Sequence, residues 1–253
     1  MIQGLNYFKS YFEDDTDKFI LIGGTATILS LESIGQSRNR GTNDLDIIFV
    51  IELLDRDFID KFMEYIRLGG YEAKMANGKS QFYRFENPKN DDFPKMIEIL
   101  SRKPDIFEGI NLTNATKLTV LDEISSLSAL ILDDQYYQFV RDHAVMQDGI
   151  QIASIECLVI LKIRAYNDLK RKKESGESNI KNEDIKKHKN DVFRLAQNFN
   201  HTQRIECTDY MKKDIQLFKS NLANDFVDLK NLGIKGTEGE IINLIFTVFG
   251  VTN

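Results

Sequence analysis

Cysteine, proline and tryptophan are scarce in this chain: its 253 residues include two cysteines, three prolines and no tryptophan. With no His or Cys clustered at metal-ligand spacing beside them, Cys157 and Cys207 support neither a disulfide framework nor a structural zinc site, and both read as core thiols. So few prolines leave little room for extended linkers or disorder. Long apolar runs are missing as well. None approaches the roughly 18 residues of a membrane span, and Met1-Ile2-Gln3-Gly4-Leu5-Asn6-Tyr7 lacks the basic flank and apolar stretch of a secretion signal, so a cytosolic (cytoplasmic) protein with no membrane partner is expected. Positive charge is in deficit. A net charge of −6 argues against a general nucleic-acid coat, whose affinity comes from basic residues displacing phosphate counterions. One stretch departs from this: from Lys162 to Lys189 ten Lys/Arg stand against five Asp/Glu, which reads either as a surface that steers a phosphate-rich ligand or as a solvated helix pair with surplus lysines.

What is present is an ordinary globular balance, 42% hydrophobic and 28% charged, at a length that suits one large domain or two modest ones. Phe19-Ile20-Leu21-Ile22 is a short buried-strand pattern that stops at Gly23-Gly24, and Thr25-Ala26-Thr27-Ile28-Leu29 opens a helix. After a polar loop from Gly35 to Asn43, Leu45 to Ile51 is a second strand, and Asp57 to Leu68 a helix closed by Gly69-Gly70. Tyr71 to Met75 and Gln81 to Phe85 flank Asn77-Gly78, a hairpin signal because both turn residues tolerate positive φ. Lys95 to Leu100 follows as a strand. Between Lys117 and Ile152, β-rich runs at Tyr136 to Val140 and Gly149 to Ile152 surround a helix at Ser125 to Leu130, and these are assigned to the sheet edge. From Ser154 the texture turns helical. An apolar face of Ile155, Leu158, Val159, Leu161 and Ile163 runs into Lys170-Arg171-Lys172-Lys173 and a Glu174 to Asn182 loop, after which Asp184 to Asn200, Asp209 to Leu229 and Glu238 to Phe249 read as helices. The expected class is α+β: a mixed sheet with flanking helices over residues 1–153, then a C-terminal helical bundle over 154–253.

Side chains two apart on a strand share a face, so Asp44 and Asp46 project together while Leu45 and Ile47 enter the core. Two carboxylates held together repel unless a cation or a shared proton compensates, and a hard, oxygen-liganded ion such as Mg²⁺ meets that need. By itself such a pair is more often a solvent-facing acidic edge. Its surroundings add weight: the Gly23-Gly24-Thr25 turn exposes backbone N–H groups and a hydroxyl suited to a phosphate, and a basic loop with Arg38 and Arg40 lies between turn and strand. His143 and His201 stand isolated and read as structural or exposed.

Leu21-Ile22-Gly23-Gly24-Thr25-Ala26, followed by Arg40-Gly41-Thr42-Asn43-Asp44-Leu45-Asp46-Ile47, resembles the AbiEii-type nucleotidyltransferases, whose pattern is G-G/S-[TS]-A and then R-x-[TS]-x-D-[LI]-D. These belong to the wider polymerase-β-like nucleotidyltransferases. The resemblance runs over roughly residues 19 to 195, with its closest motifs first. It implies a nucleotidyltransferase-like sheet, transfer of a nucleoside monophosphate from a nucleoside triphosphate to an acceptor, and two Mg²⁺ ions, with Mn²⁺ as a substitute. It implies metal ligation by Asp44, Asp46 and a third carboxylate, for which Glu98 is the candidate and Asp92 or Asp105 the fallbacks. Nucleotide contacts are implied for Gly23, Gly24, Thr25, Arg40 and Thr42. In the helical half the family shows a Lys on one helix and K-D-x-x-D-[LI] on the next. Lys162 fits the first and Lys187-His188-Lys189-Asn190-Asp191-Val192 the second, so Lys162, Lys187 and Asp191 are the implied contacts, with His188 in place of the first acid. On their own, Lys187 and Asp191 also read as a surface ion pair, and Lys162 as a snorkelling lysine.

For many members the resemblance implies the toxin of a bacterial toxin–antitoxin pair, with tRNA as acceptor and a cognate antitoxin as partner. Two rival readings stand beside it. Glu98, where family members often have Asp, and His188 both suit a catalytically silent nucleotide- or partner-binding protein of the same fold. The other rival is a small-molecule nucleotidyltransferase.

Overall fold

In the computed structural model, residues 2–36, 42–76, 79–100, 133–176, 180–223 and 225–252 are described. They fall into two compact units, Met1–Ala153 and Ser154–Asn253.

The first unit contains α1 (Leu5–Tyr11), β1 (Phe19–Ile22), α2 (Gly23–Ser33), β2 (Asp44–Phe49), α3 (Arg56–Gly69), β3 (Glu72–Ala76), β4 (Lys79–Glu86), β5 (Met96–Leu100), α4 (Asp134–Asp142), β6 (Ala144–Gln147) and β7 (Ile150–Ala153). Its strands form one mixed sheet in the order β3-β4-β5-β2-β1-β7-β6. Strand β2 is antiparallel to β1 and parallel to β5, and β1 is parallel to β7. The class is therefore α+β, with helices flanking a mixed sheet.

The two faces of this sheet differ in chemistry because strand side chains alternate. Phe19 and Leu21 lie opposite Phe49 and Ile47, and Phe85 lies opposite Ile97, so one face is apolar across four strands. Helices α1 and α3 cover it with aromatic rings: Phe49 meets Phe62 at 5.2 Å between ring centroids and Phe58 at 5.5 Å, and Phe12 meets Tyr65 at 5.2 Å. Each fully buried phenylalanine contributes roughly 1.5–3 kcal/mol. The Asp55 carboxylate accepts from Phe58 N at 2.8 Å to start α3, and Gly70, at φ 64, ends it as the glycine pair predicts. Helix α1 has only two turns, too short to announce itself by periodicity, and is held by its packing instead.

The run Tyr136 to Val140 is helical rather than extended. Within α4 the buried Tyr136, Phe139 and Val140 follow helical spacing, and the Asp133 side chain accepts from Gln135 N at 2.9 Å, so cap and spacing override strand propensity. The Tyr137 hydroxyl fixes the helix by accepting from Ile51 N at 3.0 Å and donating to Glu52 Oε2 at 2.6 Å. Strand β2 stops at Phe49 instead of reaching Ile51, because Ile51–Leu53 coil into a 3-10 turn. Asp148 and Gly149, both at positive φ, join β6 to β7 as a two-residue hairpin. The helix expected at Ser125 to Leu130 and the Asn77-Gly78 turn lie outside the described residues, although β3 and β4 do pair antiparallel.

The second unit is helical: α5 (Ile155–Glu174), α6 (Asn182–Ala196), α7 (Asp209–Leu222) and α8 (Glu238–Val248). Ser154 and Thr208 accept from the amides of Cys157 and Met211, and Thr237 with Glu240 forms a capping box. Helix α6 ends at Ala196 and α7 at Leu222, short of Asn200 and Leu229. Past α7 the chain turns so that the main-chain carbonyls of Asp225 and Phe226 accept from Lys189 at 3.2 and 3.0 Å. Cys157 is a core thiol, whereas Cys207 is only half-buried, its Sγ 3.6 Å from Phe249 O; burial raises the pKa of both. Among the described residues no helix is long and apolar enough to cross a membrane.

Beneath β1 a small ionic network ties three segments. Lys18 Nζ lies 2.9 Å from Asp15 Oδ1 and 2.8 Å from Asp55 Oδ2, and Lys61 Nζ lies 2.7 Å from Asp15 Oδ2. Burial pushes the Asp15 carboxyl up, but hydrogen bonds from Lys61 and Lys18 outweigh it and hold the pKa below 3.8. A carboxyl lowered on folding stabilises above its unfolded pKa and loses that contribution as pH falls through the folded value. Asp15→Asn is therefore expected to melt below the wild type at pH 7, with the two melting temperatures converging as the pH drops under 3.8 in a calorimetric series.

Candidate functional site

Antiparallel pairing sets Ile22, the last residue of β1, opposite Asp46 of β2. The chain then turns directly into α2 through Gly23 at φ 66, a left-handed conformation that favours glycine. A Cβ at Gly23 would also overlap the Asp46 carboxylate. Gly24 N donates to Asp46 Oδ2 at 3.4 Å, so a carboxylate from the neighbouring strand meets the positive end of α2, whose own N-cap, Ile22, offers no side-chain bond. Gly24 is less confined: a Cβ there would stand 3.1 Å from Thr42 Oγ1, so Thr42 would have to give by a few tenths of an ångström. Thr42 Oγ1 in turn accepts from Asp44 N at 3.4 Å.

Gly23, Gly24, Thr25, Thr42, Asp44 and Asp46 are thus brought together. The Thr25 hydroxyl, however, is buried and donates to Asp44 O at 2.7 Å. It secures the turn to β2 and is not turned outward toward a phosphate. Thr27 likewise donates to Gly23 O at 2.6 Å. Arg38 and Arg40 lie outside the described residues.

Strand β5 continues the same face. Glu98 is the parallel partner of Asp46, and Arg84 of β4 is the antiparallel partner of Glu98, so the three residues stand in a row across three strands. Glu98 is buried to 8% exposure, and Arg84 Nη2 donates to its Oε1 at 2.7 Å. The other terminal nitrogen, Nη1, lies 3.9 Å from Glu86 Oε1. Arg84 belongs to no motif; the register of the hairpin with respect to Glu98 was the signal that would have found it. Of the fallback acids, Asp92 is exposed in the turn before β5, its amide bonded to Asn90 Oδ1, and Asp105 lies outside the described residues.

The donor chemistry of Asp44 and Asp46 suits a hard divalent cation, and a carboxylate offers about four lone-pair sites, so the Gly24 amide bond is compatible with ligation. The fit ends there. Glu98 is already neutralised by Arg84, and among the described residues no three His, Cys, Asp or Glu side chains form a group able to hold a metal. Asp44, Asp46 and Glu98 thus do not form one metal-holding group among the described residues.

The helical unit carries its own buried charges. Lys162 Nζ lies 3.2 Å from Asp191 Oδ2, with side-chain exposures of 5% and 0%. Asp191 thus pairs internally with Lys162 on α5, and Arg194 Nη1 approaches its Oδ1 at 3.6 Å, so it is a buried partner rather than a surface one. His188 Nδ1 is buried with no hydrogen-bond partner among the described residues. Burial first, then the charges of Lys162 and Lys187, pull the His188 pKa down to about 3. The basic stretch is largely internal pairing: Arg164 meets Asp214, Arg171 and Lys172 meet Asp168, Lys170 donates to Asn221 O, Lys173 to Asn182 and Lys189 to Asp225. The Arg171 and Lys172 pairs lie within one helix and leave Arg171 70% exposed. His143 Nδ1 lies 2.9 Å from Phe139 O and is structural, while His201 is exposed.

No protein-family model matches the chain, and no curated protein or solved structure matches it.

Two measurements check the helical unit. A histidine whose folded pKa is depressed lets the unfolded state bind the proton first, so stability falls as pH drops from about 6.5 toward 3. His188→Phe is expected to flatten the slope of unfolding free energy in that window, and the wild-type His188 NMR resonances to stay put between pH 5 and 8. Removing one partner of a buried ion pair costs about 3–5 kcal/mol, so Lys162→Met should lower stability by that order in urea, and adding Asp191→Leu should restore most of it.

Proposed function

We propose that the chain is a Mg²⁺-dependent nucleotidyltransferase that moves a nucleoside monophosphate from a nucleoside triphosphate to an acceptor, with Asp44 and Asp46 at its centre. The observation that carries this reading is the contact between the Asp46 carboxylate and the Gly23-Gly24 turn at the start of α2. It joins a candidate metal ligand to a helix N-terminus, the backbone feature that attracts phosphate. When bound, Mg²⁺ supplies positive charge to the triphosphate and to the leaving pyrophosphate.

In this reading Asp44 and Asp46 hold the ion, and the Gly24 amide at the head of α2 holds the Asp46 carboxylate in place. Thr25 and Thr42 keep turn and strand in register through their bonds to Asp44. Lys162 and Asp191 stabilise the helical unit through their buried ion pair. The resemblance to the AbiEii type extends the proposal to a tRNA acceptor, a toxin role with a cognate antitoxin, and a cytoplasmic setting.

One observation favours a second reading. The Arg84–Glu98 pair engages the carboxylate that two-ion catalysis would use, which suits a catalytically silent nucleotide-binding protein. Incubation with each labelled nucleoside triphosphate, Mg²⁺ and total tRNA separates the two. Label entering RNA supports transfer, and Asp46→Asn is expected to reduce it to background without altering the circular dichroism spectrum. Full transfer by that variant would remove Asp46 from the site. Nucleotide retained with no label transferred to RNA or any small acceptor supports the silent protein.

A further inference from the structure

We propose that Arg84 is a resident cation that takes the place of a second metal ion, so that the chain binds one divalent cation, at Asp44 and Asp46, and Glu98 is not a ligand. The inference rests on the reading that Asp44 and Asp46 hold an ion. It departs from the two-ion arrangement that the resemblance implies.

Register is the first support. Asp46, Glu98 and Arg84 occupy adjoining strands at one level, so the guanidinium is delivered by backbone pairing and not by a wandering loop. The neighbouring pair Phe85–Ile97 is buried and anchors β4 to β5 on the opposite face. Geometry is the second: Arg84 Nη2 sits 2.7 Å from Glu98 Oε1, a charge-assisted hydrogen bond. Arginine stays protonated at any pH a protein survives, so this positive charge cannot be titrated away to admit a metal.

Displacement decides between one ion and two. Arg84 already faces Glu98 at 2.7 Å and Glu86 at 3.9 Å. A second divalent ion on Glu98 would have to displace a bound guanidinium from a carboxylate that is 8% exposed. Burying unmatched charge is strongly unfavourable.

The test counts ions. Titrating the full chain with Mn²⁺ and reading free Mn²⁺ by electron paramagnetic resonance is expected to give one bound ion, lost in Asp46→Asn. Arg84→Gln releases Glu98 and is expected to raise the count to two, with Arg84→Gln/Glu98→Gln returning it to one. Two ions on the wild type, or one on a folded Arg84→Gln, overturns the proposal while leaving the Asp44–Asp46 site intact. No ion on the wild type overturns that site as well. Should Arg84→Gln not fold, Glu98→Gln decides: unchanged Mn²⁺ affinity supports a non-ligand, and a loss of about tenfold overturns it.

Discussion

The contact of the Asp46 carboxylate with the Gly23-Gly24 turn is the constraint from which the first unit's polar face follows. It requires β1 to end opposite Asp46, a left-handed residue at position 23, and no side chain at position 23. A negative charge at a helix N-terminus contributes only about 0.3–1 kcal/mol at an exposed site and up to about 2 kcal/mol where partly buried. Its structural effect is larger than that figure. Because the carboxylate occupies the space where a Cβ would lie, strand, turn and helix fit together in one arrangement only.

That face places Asp44, Asp46, Glu98 and Arg84 within a sheet whose other side is built from aromatic rings. Pairing at Arg84–Glu98 and helix capping at Asp46 offset the cost of charge there, while the α1–α3 cluster supplies the apolar burial. The helical unit uses the same means. Lys162 with Asp191, a buried ion pair, and Lys189 with the half-buried Asp225 cross-link its helices and the segment after α7. The Tyr166 hydroxyl adds a bond to Asp225 at 2.9 Å, and burial of that carboxyl is outweighed by Lys189 and Tyr166, so its pKa lies below the usual value.

Much of this was legible in the chain itself. Phe19–Ile22, the glycine turn and the Asp44–Phe49 strand carry their signals locally, in alternation and in glycine, and the capping residues Ser154, Thr208 and Thr237 mark three helix starts. What escaped was set by distant partners. Tyr136 to Val140 has strand-forming residues, yet its hydroxyl partners on Ile51 and Glu52 and its aspartate cap make it a helix. Arg84 is one more polar residue in an alternating strand until its register with Glu98 is known. Asp191 reads as a surface acid on its own helix, and its buried pairing with Lys162 depends on the packing of α5 against α6. The Asp148-Gly149 hairpin is the converse case, a local turn signal obscured by the apolar stretch around it.

The aromatic cluster under the sheet also has an optical consequence. The chain has nine tyrosines and no tryptophan, and seven of the nine lie in residues 1–153. Tyr7, Tyr11 and Tyr65 are mutual neighbours there, with Tyr65 5.9 Å from Tyr7 and 5.0 Å from Tyr11 between ring centroids. With no indole to drain their excited states, intrinsic emission from this protein belongs mostly to the α/β unit, and helical ellipticity is contributed by both. The two signals together let each unit's unfolding be followed in the unmodified chain, without a dye or an engineered probe.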